Sequence, residues 1–248
     1  MMYDLTEYPQ TRQYLLFEAV DEGNIDVVEP LLTSDIDVNQ LRNEGYTPFY
    51  LAAKKGNFDI MRLLVDAGAD VNKADNDGAT PLISVIGYGY DVTMVNWLVD
   101  NGADVKKANI TGNTPLHWAA VSGNEDIIRV LVVAGAEINK TNNDGETPLL
   151  EATEEENIQA VQMLLDKGAT VLIPDKQGRT PLTIAENIGD NDMIELIQSH
   201  VDQQIHAISE SQLKKNRKSK QSGSGNRVRK TYKKKRKRNR TKSKRFVN

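Results

Sequence analysis

Apolar residues along this chain fall in two alternating helical runs, divided by short polar turns that contain glycine. In one stretch Leu116, Ala119 and Ala120 share a helical face and Gly123 interrupts. Ile127, Ile128, Leu131 and Val132 then resume the same spacing. The pattern also stands two periods earlier, where Ala52 and Ala53 precede Gly56 and then Ile60, Met61, Leu64 and Val65. Thr-Pro opens each first run, at Thr47, Thr80, Thr114, Thr147 and Thr180, with a glycine two residues ahead. Those glycines, Gly45, Gly78, Gly112, Gly145 and Gly178, are separated by 33, 34, 33 and 33 residues. A period of this length predicts a stack of equal units, each helix, turn, helix, turn. One unit cannot bury its apolar face alone, so several must pack side by side.

The residue types fit that plan. A threonine hydroxyl satisfies an orphan amide of a first helical turn, and proline belongs at the first helical position, where no N–H is needed. Gly56 and Gly123 stand where a helix must stop and turn back. Runs such as Asp75-Asn76-Asp77-Gly78 read as turns between units. The period, the stretch Thr114-Pro115-Leu116-His117-Trp118-Ala119-Ala120 and the closing Gly68-Ala69-Asp70-Val71-Asn72 resemble ankyrin repeats. The resemblance implies an all-α ankyrin-repeat solenoid over residues 12–210, with repeats at about 12–44, 45–77, 78–111, 112–144, 145–177 and 178–210. Residues 1–11 form an N-terminal segment and 211–248 a tail.

The repeats are unequally worn. The first lacks Thr-Pro, carries Asp35 where the next has Gly68, and holds Pro30 inside its second helix, where a kink is expected. The third has one extra residue, placed in the turn Gly87-Tyr88-Gly89-Tyr90-Asp91, which is either a bulge or part of a contact surface. In the fifth, Glu156 replaces the turn glycine, at some loss of stability if the site is left-handed. The last repeat has Glu186 at a core position, as suits a capping unit. Ile194, Ile197, Val201, Ile205 and Ile208 form a stripe expected to close the open end of the stack.

Charge divides the chain. All 35 acidic residues lie at or before Glu210, together with only 13 of the 31 basic ones. The last 38 residues hold 18 basic side chains and no acid. Like charges at that density, with the linker Ser222-Gly223-Ser224-Gly225, predict a disordered tail. Its clusters are Lys214, Lys215, Arg217 and Lys218, then Lys233, Lys234, Lys235, Arg236, Lys237 and Arg238. Three readings stay open: a nuclear import signal, sequence-nonspecific contact with nucleic-acid phosphates, or docking on the acidic body. The chain has no cysteine, which excludes disulfides and fits a reducing compartment. Met1 to Gln10 carries Asp4 and Glu7 and no apolar run, so no signal peptide is expected. No apolar run is long enough to span a bilayer. An intracellular monomer, in nucleus or cytoplasm, is expected.

No catalytic constellation emerges, and neither cofactor nor metal is expected. There is no phosphate loop, no His-Glu-x-x-His helix and no nucleophile elbow. His200 and His206 lie six apart, on different helical faces, and Glu154, Glu155 and Glu156 cannot all face one ion. The resemblance implies that His117 bonds within its repeat, and that the first helices and turn fingers line a concave groove. It places Leu51, Ser84, Trp118, Glu151 and Ile184 facing outward into that groove. The candidate partner-binding set is therefore Leu51, Tyr88, Tyr90, Trp118, Glu151, Glu154 and Glu155, with Trp118 as anchor and the glutamates favouring a basic peptide. The resulting expectation is a non-enzymatic scaffold for a protein partner. The alternative is a nucleic-acid binder in which the tail leads. Asn39, Asn72 and Asn139 sit where some ankyrin proteins are hydroxylated, although holding the turn by hydrogen bonds is their simpler role.

Overall fold

The computed structural model describes residues 9–33, 35–42 and 44–215. It divides into two compact units, Met1–Gln198 and Ser199–Asn248. Among the described residues the secondary structure is helical, with turns between helices and no strand.

In the first unit the helices run in pairs: α1 (Pro9–Asp21) with α2 (Ile25–Leu31), α3 (Pro48–Lys55) with α4 (Phe58–Asp66), and α5 (Pro81–Gly87) with α6 (Val92–Asp100). They continue as α7 (Pro115–Ser122) with α8 (Glu125–Val133), then α9 (Pro148–Glu154) with α10 (Ile158–Asp166), and α11 (Pro181–Ile188), after which residues 191–198 are helical. The first helices stack in chain order, α1 on α3, α3 on α5, and so on to α11. They form the inner layer. Six consecutive residues are buried in α3 (Pro48 to Ala53) and six in α9 (Pro148 to Thr153), so these helices are enclosed on all sides rather than along one stripe. Ala52, Ala119, Ala152 and Ala185 have no exposed surface, and such small side chains let neighbouring helices approach closely. The second helices form an outer layer and bury one face each, such as Ile127, Ile128 and Leu131 of α8.

Local chemistry sets the ends as expected. The hydroxyls of Thr47, Thr80, Thr147 and Thr180 accept from the amide three residues on, each ahead of a first-turn proline. Gly56, Gly123 and Gly189 close α3, α7 and α11 with φ between 71° and 84°. Glu156 holds the corresponding position at φ 56°, and it is the one described non-glycine residue with positive φ. The site is therefore left-handed, and a side chain there carries strain.

The first helix opens at Pro9. α2 has seven residues, against nine in α4, α6, α8 and α10, and Pro30 lies within its last turn, where it removes one backbone bond. Two expectations need correction. The closing stripe buries Ile197, beside Met193, but Ile205 and Ile208 are 51% and 50% exposed. Finally, residues 199–215 of the second unit are helical, so the first five residues of the tail are ordered. The rest of the tail, including the linker and the cluster Lys233 to Arg238, lies outside the described residues.

Candidate partner-binding groove

The turns between helix pairs are two-sided fingers. Asp75 N–H bonds Ala79 O, Asn109 bonds Asn113, Asn142 bonds Glu146 and Asp175 bonds Arg179, all at 2.9–3.0 Å. One backbone bond then joins each finger to the next: Asn76 to Glu44, Ile110 to Asp77, Asn143 to Thr111 and Lys176 to Asp144. A second set of links lies at the far end of each unit. Asn39 donates to Gly68 O and accepts from Asp70 N–H, and Asn72 does the same with Gly102 and Asp104. The Asn139 oxygen accepts from Thr170 N–H at 2.9 Å. These asparagines bridge consecutive units and do not merely brace their own turns.

His117 has no exposed surface and belongs to this frame. Its Nδ1 accepts the Thr114 amide at 3.1 Å and lies 2.8 Å from the Thr114 hydroxyl. The ring proton is therefore on Nε2, which donates to the Glu146 carbonyl at 3.1 Å in the next finger. Burial pushes the imidazole down to about 4, and its contact with the Glu146 carbonyl opposes this without reversing it.

The inserted residue of the third repeat is Tyr90. Its ring lies over Gly56, where a Cβ would stand 2.4 Å from Cε1, and its hydroxyl donates to Lys54 O at 3.1 Å. Asn57 and Asn157 make the equivalent bond to the preceding unit, to Val20 O and Val121 O. Tyr90 thus replaces an asparagine clamp with a phenol, while Tyr88 is 58% exposed. Phe58 and Trp97 meet edge-to-face at 5.3 Å between α4 and α6.

The position after the motif histidine is mostly not outward. Leu51, Ser84, Glu151 and Ile184 are 5–8% exposed, because the small inner-helix residues bring each neighbour close enough to cover them. Trp118 alone in that column is partly exposed. Gly87 stands beside its ring, and a Cβ on Gly87 would lie 3.4 Å from Cε3. The indole Nε1 is buried and has no hydrogen-bond partner. Leu51 lines a cavity with Asp21, Arg42, Tyr46, Lys54 and Lys55. Here Lys55 pairs with Asp21 and Arg42 with Glu18, both at 3.0 Å. Lys54 donates to the Tyr46 hydroxyl at 2.8 Å, which raises its pKa, and lies 4.4 Å from that ring. Charges at this end balance.

The opposite end is acidic. Arg179 reaches Glu146 at 3.0 Å and also pairs with Glu154 and Asp175. Glu151 accepts one bond, from Asn142 Nδ2 at 3.1 Å to Oε1, while its buried Oε2 has no partner. Burial, and next the nearby charge of Glu146, push the Glu151 carboxyl up to about 7. Burial likewise raises Glu154, and Glu155 is exposed. The structure therefore gathers Glu151, Glu154 and Glu155 near one another, and sets Leu51, Tyr88 and Tyr90 apart from them, in earlier repeats. Arg179, Asn142 and Gly87 are missing from the sequence-based set. The offset of 33 between Glu146 and Arg179, one whole repeat, was the available signal for that pair.

Among the described residues no group of three or more His, Asp or Glu is placed to hold a metal ion. No described helix is long and apolar enough to cross a membrane. In comparison with known proteins, a family model for ankyrin repeats (3 copies) matches residues 16–109, 92–142 and 116–209. No curated protein matches the chain.

Proposed function

We infer, from the premise that this chain belongs to the ankyrin-repeat family, that it is a non-enzymatic scaffold binding a partner protein on its concave face. Ankyrin repeats support a protein–protein interaction module. The observation that carries it is Trp118: a partly exposed indole packed over Gly87, with a buried N–H that no described group accepts. A large ring with an unused donor is the kind of anchor on which interface energy concentrates. The test is capture from cell extract by the full chain, by Trp118→Ala, and by Val133→Ala on the outer helix α8. The expected result is a protein retained by wild type and Val133→Ala and lost by Trp118→Ala. Full retention by Trp118→Ala removes the reading.

A second role rests on one observation, the 18 basic side chains without an acid in residues 211–248. That density supports nuclear import or contact with nucleic-acid phosphates. Phosphate contact predicts duplex binding that weakens steeply as salt rises. Import predicts that residues 211–248 carry a fused reporter into the nucleus. The alternative, a sequence-nonspecific nucleic-acid binder that uses the tail and has the repeats as recruiter, predicts that neutralising the tail abolishes activity while protein capture survives.

A further inference from the structure

Glu151 is the least expected residue in the inner layer. It occupies a column whose other members are Leu51, Ser84, Trp118 and Ile184, and it is 8% exposed. A buried carboxylate is ordinarily paired or fully hydrogen-bonded, since taking it out of water uncompensated is costly. Here one oxygen has Asn142 and the other has nothing. Among the described residues one guanidinium reaches this region, Arg179, and it is already taken by Glu146, Glu154 and Asp175. Glu151 thus remains a buried acceptor inside a cluster of like charge, and no cation among the described residues reaches its second oxygen. The neighbouring repeat presents the complementary vacancy, the unaccepted Trp118 N–H.

We propose that Glu151, flanked by Glu155, is the seat of a basic side chain, arginine or lysine, from an extended segment of the partner, whose backbone carbonyl receives the Trp118 N–H. This rests on the concave-face reading and names the chemistry that the face selects. Trp118 and Glu151 hold the same place in successive repeats, and packed helices stand about 8–10 Å apart. An extended strand advances about 3.3 Å per residue. The basic residue therefore lies within about two or three positions of the carbonyl that meets Trp118. A cation at Glu151 Oε2 neutralises a charge that is otherwise held against burial and against Glu146. A second carboxylate-rich partner is repelled, so the same group acts for and against.

The experiment uses the full chain and three synthetic peptides, Ac-Ala-Leu-Ala-Arg-Ala-amide, its lysine analogue, and its citrulline analogue, which keeps the shape of arginine without its charge. Binding is followed by NMR titration of the Trp118 indole N–H and of the Glu151 side-chain carboxyl. The arginine or the lysine peptide is expected to bind about tenfold tighter than the citrulline peptide, about 1.4 kcal/mol. It should shift both signals, and in Glu151→Gln the ratio should fall to about one. Whichever cationic peptide binds tighter identifies the side chain. Glu151→Gln removes charge without changing shape, so it is expected to fold, and its retained amide dispersion confirms that. Equal binding of the citrulline peptide, or an undiminished ratio in Glu151→Gln, overturns the proposal. If that happens while Trp118→Ala still loses the captured partner, the cation seat fails and the face survives. If Trp118→Ala keeps that partner, the face itself fails.

Discussion

At the scale of single residues, two buried titratable groups pull stability in opposite directions with pH. His117 ordinarily titrates near 6.5 and in the fold near 4. The folded state holds that proton less tightly, so stability present above about pH 6.5 is lost as pH falls towards about 4, by roughly 3 kcal/mol. Glu151 moves from 4.5 to about 7. The folded state holds its proton more tightly, so stability present below about pH 4.5 is lost as pH rises through about 7, again by roughly 3 kcal/mol. Glu151→Gln is therefore expected to stabilise the chain by up to about 3 kcal/mol near pH 8 and by almost nothing near pH 4. Urea denaturation at the two pH values checks this, and equal gains at both would contradict the assignment. NMR titration should find His117 neutral down to about pH 5 with its proton on Nε2. Glu156 offers a simpler case. Its left-handed φ of 56° predicts that Glu156→Gly raises stability by about 1 kcal/mol, read as a higher denaturation midpoint.

Among the elements, the lengthened third turn shows how an insertion is absorbed. Tyr90 reaches back over Gly56 and bonds Lys54 O, so the extra residue tightens a joint instead of loosening it. Gly56 and Gly102 both have positive φ, but only Gly56 has a ring against it, and nothing lies within 4 Å of a Cβ on Gly102. Gly102→Ala therefore measures left-handed strain alone, about 1–2 kcal/mol. Gly56→Ala adds a clash with Tyr90 and is expected to cost roughly 1–3 kcal/mol more. A double-mutant cycle with Tyr90→Ala should recover that excess as coupling. Independent effects of the two substitutions would show that the ring does not act as the clamp.

For the whole molecule, stability is close to a sum over units and their joints. The first joint is the weakest on several counts. α2 buries only Val28 and Leu31, its N-cap Asn24 makes no side-chain bond, and Pro30 removes a donor. The inner helices α3 and α9, by contrast, bury six residues each. Hydrogen exchange is expected to be fastest in α2 and slowest in α5, α7 and α9, whose opening requires breaking two neighbours at once. Uniform protection from α2 to α9 would mean that the stack unfolds as one cooperative block.

What could be read from the amino acids alone is what depends on a few adjacent residues: the period, the Thr-Pro starts, the glycine stops and the strain at Glu156. Each follows from a local φ, a missing N–H or a hydroxyl three residues from its amide. The burial of Leu51 and Glu151, the hold of Arg179 on three carboxylates and the reach of Tyr90 across Gly56 all span about one repeat. They depend on how closely two helices settle. That spacing is decided by the small residues on both sides of a joint together, so no single stretch of chain carries it. The same holds for the bare oxygen of Glu151 and the idle indole of Trp118, since an unmet hydrogen bond is a property of the surroundings and not of the residue.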